Sequence, residues 1–261
     1  MAIPPVRRWL RAALSDGRSI FPATFPALWL GFAFLPGLHL TLQVPVTLAL
    51  ATLVGVGAEL SNRTLAAPRV WRQALGALWF VPSGCVIVGV LWLSAAGTSP
   101  PALAPLAALG VLGLMFLQRL ELGGPRAIRG IAHAVNIGAA FAIAFAAYAV
   151  AAKLPAATGA ALVVASTLPA ALVVLRGTRS SQTESLLYPG VTALAVGELA
   201  LVLHAATAPV FVSAALLVVA LYAVSGVCRA RLDAGPRRVY VELAITSVAA
   251  LLAVGAAASR L

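Results

Sequence analysis

Residues 139–152 read AAFAIAFAAYAVAA, from Ala139 to Ala152, with no charge and a single hydroxyl at Tyr148. Wound as an α-helix, this stretch is apolar on every face, which suits an element surrounded by protein core or by lipid. A strand of a membrane barrel would instead alternate apolar and polar side chains over roughly ten positions. Runs of this kind recur along the chain at roughly 18 to 23 residues, the length a helix rising ~1.5 Å per residue needs to cross ~30 Å of hydrocarbon. The whole chain follows suit: 261 residues, 62% hydrophobic and 10% charged, with a mean hydropathy of +1.01. One soluble core cannot hide that much apolar surface, so the solvent is lipid and each backbone polar group must be satisfied within its own helix.

The expected fold is an all-α polytopic transmembrane bundle of about nine membrane helices. The crossings read as Ser19 to Leu38, Leu40 to Ala58, Ala74 to Ala96, Pro101 to Gln118, Gly130 to Ala152, Ala156 to Leu175, Leu186 to Ala205, Ala208 to Cys228, and Val239 to Ser259. The first two are joined by Leu35-Pro36-Gly37 and also admit a shallow re-entrant reading, which leaves seven full crossings. Ahead of them, Val6, Trp9, Leu10, Ala13 and Leu14 share one helical face while Arg7, Arg8 and Arg11 lie elsewhere. Residues 1–18 are therefore read as an amphipathic interfacial segment and 19–261 as one transmembrane helical domain.

The connections fall into two kinds. Leu35 to His39, Ala95 to Pro101, Lys153 to Thr158 and Ala205 to Pro209 are tight and nearly uncharged, whereas those between them are longer and rich in arginine. Sixteen of the eighteen basic residues lie on the arginine side and only Lys153 and Arg260 on the other. Basic short loops stay in the cytoplasm. This orients the N-terminus inward, in a bacterial cytoplasmic membrane, with the arginines facing anionic lipid headgroups. The net charge of +11 is thus a topology signal; the arginines punctuate apolar runs and form no continuous basic surface for nucleic acid. Cys85 and Cys228 make no pair motif and read as packing residues.

Seven acidic residues exist. Asp16, Glu121, Glu184 and Asp233 fall in the basic loops, Glu59 precedes Arg63 by one helical turn, and Glu242 follows Arg238 by one; all six read as local charge balance. Glu198 differs, since it lies about 12 residues into its crossing, where an acid costs roughly 2.5–3.5 kcal/mol on insertion scales. It must face protein or water, or be protonated. Gly190, Ala193, Gly197, Ala200 and His204 form an adjacent seam of mostly small residues, through which another helix can approach closely. In the fifth crossing His133 and Asn136 lead a stripe of alanines, with Phe141, Phe145 and Tyr148 on a separate face; Asn136 reads as a bridge to a neighbouring helix before it reads as a ligand. Glu198, Asn136 and His204 are the candidate intramembrane polar site.

Several chemistries lack their groups. There is no carboxylate cluster to hold magnesium on a pyrophosphate, no HExxH, no GxSxG and no Walker sequence. No cofactor and no catalytic residue is expected. Two turns resemble each other, Arg119-Leu120-Glu121-Leu122-Gly123-Gly124-Pro125-Arg126 and Arg231-Leu232-Asp233-Ala234-Gly235-Pro236-Arg237. A parallel duplication is one reading, and ordinary Gly-Pro turn chemistry the stronger.

Gly197-Glu198-Leu199, Ala220-Leu221-Tyr222, Arg231-Leu232-Asp233, Arg237-Arg238 and Val241-Glu242-Leu243 make residues 190–250 similar to a family of uncharacterised multi-pass bacterial membrane proteins. The resemblance implies a compact polytopic bundle with a charged cytoplasmic turn before its last helix, and no assigned activity. The near absence of reactive groups favours a non-enzymatic scaffold, assembly factor or complex component, with a membrane-protein partner or a second copy. A small-molecule permease with Glu198 as its intramembrane coupling or binding carboxylate is the alternative. A membrane enzyme ranks third and needs His39, His204 and Glu198 in one cavity.

Overall fold

A computed structural model describes residues 21–63, 79–96, 100–123, 126–176, 184–206, 209–233 and 237–258. The expected interfacial segment at 1–18 lies outside them. Among the described residues there is no strand, and the helices are α1 (Phe21–Phe34), α2 (Leu40–Arg63), α3 (Phe80–Ala96), α4 (Pro100–Gly123), α5 (Arg126–Ala151), α6 (Ala156–Leu175), α7 (Glu184–Ala205), α8 (Val210–Leu232) and α9 (Arg237–Ala258). Leu35–Gly37 forms a 3-10 turn between α1 and α2. Each helix falls on one of the expected apolar runs.

Six helices are long and apolar enough to cross a membrane: the segments Leu42–Leu60, Leu103–Leu122, Ile128–Ala151, Ala156–Leu175, Leu186–Ala205 and Val210–Leu232. Apolar stretches in α1, α3 and α9 are shorter, at Thr24–Gly37, Phe80–Ser94 and Val239–Leu252. Leu53, Leu106, Ile131 and Leu194 each leave well over half of their surface uncovered. So much exposed aliphatic surface, spread over several helices, is tolerated where the solvent is hydrocarbon.

Proline placement shows how the sequence sets the turns. Pro155 and Pro209 stand immediately before α6 and α8, where a residue with fixed φ and no N–H leaves no donor stranded. The α5–α6 turn closes on itself, with Lys153 N bonded to Val150 O at 3.0 Å and Leu154 N to Ala151 O at 3.0 Å.

The helices form two compact units, dividing within α5 between Ala139 and Ala140. The first holds α1 to α4 and the start of α5. There α1 lies mainly on α4, and α2 on α3, around a core that includes Leu28, Phe32, Val54, Val90 and Met115. In the second unit α6 packs along α7, and α8 leans on both. Gly197 makes the α6–α7 approach close: a Cβ there would overlap the Cγ2 methyl of Val164. Ala193 and Ala200 are buried on the same side, so the small-residue seam is a helix contact as expected, although His204 at its end is exposed. Phe141 and Phe145 meet Tyr222 and Phe211 of α8, each pair with ring centroids 6.4 Å apart. The last helix, α9, packs chiefly on α8, where Leu243 lies over Gly226.

The two similar turns sit on helices that turn different faces inward. Met115 on α4 is buried, whereas Val227 on α8, at the corresponding distance before its turn, is half exposed. The likeness stops at the turn.

Candidate functional site

One end of the first unit is polar. The C-terminal turns of α2 and α4 and the N-terminal half of α5 meet there. Asn62 of α2 donates from Nδ2 to Gln118 Oε1 of α4 at 3.2 Å. One turn further along α4, Glu121 Oε1 lies 2.7 Å from His133 Nδ1, and its Oε2 accepts from Asn136 Nδ2 at 2.7 Å. Asn62, Gln118 and Asn136 are each 1% exposed, while the Glu121 and His133 side chains are 10% and 22% exposed. Glu59 and Arg119, in the same turns, are buried as well.

The local reasons are legible. Positions 118 and 121 lie on one side of α4, as do 133 and 136 on α5, because residues three apart on a helix are neighbours. Where Glu121 is ionised its carboxylate only accepts, so Nδ1 of His133 donates to it as the Asn136 amide nitrogen does. That leaves Asn136 Oδ1 buried without a donor, and Asn62 Oδ1 likewise. In a low dielectric a carboxylate held by two donors at 2.7 Å is a strong tie between α4 and α5. The arrangement can bind polar groups.

One expectation is corrected here. Glu121 lies on a helix rather than in a loop, since α4 continues past Gln118 to Gly123, and its carboxylate reaches His133 and Asn136 of α5. Arg119 and Arg176 are buried, whereas Arg129 and Arg231 are exposed. Other readings held. Asn136 does bridge two helices, and Asp233 does answer a nearby arginine, with Oδ2 3.8 Å from Arg229 Nε. The Arg63 side chain expected beside Glu59 lies outside the described set.

Of the three residues singled out in the sequence, Asn136 belongs to the first unit and Glu198 and His204 to the second. Glu198 is exposed, off the buried α6 contact and on a line of exposed α7 residues: Leu187, Val191, Leu194, Leu201 and Ala205. His204 is also exposed, six residues on, which is roughly 9 Å along the axis and a third of a turn around it. His39 is exposed in the first unit. Among the described residues no group of three or more His, Cys, Asp or Glu side chains is placed to hold a metal ion.

Asn62, Gln118 and Glu121 were missed in the sequence. The available signal was their shared position, each within two turns of the arginine-rich end of an apolar run.

No curated protein and no solved structure matches the chain. The model of the family described as protein of unknown function (DUF5656) matches residues 20–257. An apolar, helical chain with a polar knot at one end of its first unit, matched over nearly its whole length, belongs to that family of unknown function.

Proposed function

We propose that the protein is a non-enzymatic, multi-pass component of the bacterial cytoplasmic membrane that works within a larger membrane assembly, with nine crossings and its N-terminus in the cytoplasm. The observation that carries this reading is Glu198, exposed near the middle of α7 among leucines and valines. A carboxyl in hydrocarbon must find a hydrogen-bond partner, and helices of another chain supply one. Purified in a mild detergent or a nanodisc, the particle is expected to hold a protein mass, counted apart from detergent and lipid, well above the 26.6 kDa of one copy. A strictly monomeric chain whose behaviour is the same with Glu198→Leu would defeat the reading.

The orientation has its own test. With Cys85 and Cys228 replaced by alanine, single cysteines at Leu154 and Ala206 are expected to react with a membrane-impermeant thiol reagent on intact cells. Cysteines at Ser180 and Ala234 should react only after permeabilisation. The reverse pattern would invert the topology.

A permease is the second reading, and the Glu121–His133–Asn136 knot favours it more than Glu198 does. Proteoliposomes given a pH step should then show proton flux that Glu121→Gln abolishes and Glu198→Gln leaves intact. Flux absent from the unaltered protein would remove this reading.

A further inference from the structure

We infer that the polar end of the first unit is a binding site for ordered water, held on the side-chain amides of Asn62 and Asn136. The site neither needs nor excludes the proposed assembly. The chain has two asparagines in all, and the fold brings both to this one end, each 1% exposed. Each spends its amide nitrogen on a neighbour: Asn62 Nδ2 donates to Gln118 Oε1 at 3.2 Å, and Asn136 Nδ2 to Glu121 Oε2 at 2.7 Å. Each is left with an Oδ1 that is buried and accepts from no donor. A buried amide oxygen in that position has given up its hydration for nothing, and folded interiors complete such groups with a protein donor or with water.

The amide chemistry selects water over an ion. Turning the Asn136 amide over would set its oxygen against the Glu121 carboxylate, two acceptors face to face, and strand the nitrogen instead. Turning Asn62 and Gln118 over together would keep their bond but strand Asn62 Nδ2. One polar atom of each asparagine is therefore left over in either orientation. Water both donates and accepts, so it completes both residues either way, whereas a metal ion suits only oxygens and an anion only N–H groups. The path inward is short. The Glu121 and His133 side chains beside Asn136 are 10% and 22% exposed, and Arg129, one turn before His133, is exposed. Asn136 lies about 10 Å further along α5 than Arg129, or roughly two turns.

The test uses the full chain in nanodiscs, with asparagine as the one residue type carrying carbon-13, so that two side-chain carbonyls report. In solid-state NMR both are expected to gain polarisation from water protons several-fold faster than the leucine methyl carbons of a parallel sample. Asn62→Ser and Asn136→Ser should each delete one of the two signals and leave the other's water contact intact. Should either variant fail to fold, the unaltered chain still decides, because both of its signals must show the contact. A map fine enough to resolve water should place a peak at hydrogen-bond distance, about 2.7–3.2 Å, from each stranded amide atom. Build-up no faster than on leucine at either asparagine would overturn the inference. So would a water contact that sodium or potassium chloride displaces, since the occupant would then be an ion.

Discussion

Replacing Glu121 with alanine is expected to cost about 2–3 kcal/mol of stability, seen as a lower midpoint in an SDS or thermal unfolding series. The carboxylate takes hydrogen bonds from His133 Nδ1 and Asn136 Nδ2, both at 2.7 Å, and the Glu121 side chain is only 10% exposed. Its removal takes this acceptor from the buried Asn136 amide and the part-exposed His133 imidazole. Glu121→Gln separates the charge from the hydrogen bonds. Its carbonyl still accepts from Asn136, and its amide nitrogen donates to His133 Nδ1 once the imidazole takes the other tautomer. The glutamine variant should therefore lose less than about 1 kcal/mol. Equal losses in the two variants, or none in either, would show that the knot does not tie α4 to α5.

Gly159→Ala inverts the ordinary sign of a helix substitution. Alanine in place of glycine inside a helix usually stabilises it by about 1 kcal/mol. At Gly159 the added Cβ would stand 2.6 Å from the carbonyl oxygen of Ala151. That oxygen is backbone, and it already accepts from Leu154 N at 3.0 Å to close the turn, so it cannot swing aside. The expected loss is about 1–3 kcal/mol for alanine and more for valine. Gly138→Ala on α5 is the control, because a Cβ there meets nothing within 4 Å; it should be neutral or stabilising. If both variants behave alike, α5 and α6 do not meet as closely as described.

The sequence announced the helices well because nearly every apolar run is long and bounded by proline, glycine or arginine, and each of these punctuators acts locally. The close approach of α6 to α7 was also legible, since Gly197, Ala193 and Ala200 recur on one helical face and only small residues allow it. Glu121 was hidden for a physical reason. Hydropathy ends a span at the first charges, here Arg119 and Glu121, but a helix continues wherever its polar side chains find partners on a neighbour. Those partners, His133 and Asn136, sit twelve and fifteen residues further on, and only the α4–α5 turn brings them back. Glu198 was noticed because a mid-span acid is anomalous by composition alone. Its direction could not be read, since the seam at Gly197 and the outward line at Leu194 and Leu201 are both acceptable helix faces until packing chooses between them.

The position of α9 carries one more consequence. Val241, Ile245, Val248 and Leu252 are all more than half exposed, and the helix rests chiefly on α8. An element moored along a single side is the first to peel away when detergent competes for its apolar surface. Its departure would bare the face of α8 at Gly226 that Leu243 covers, and α8 leans on α9 more than on either α6 or α7.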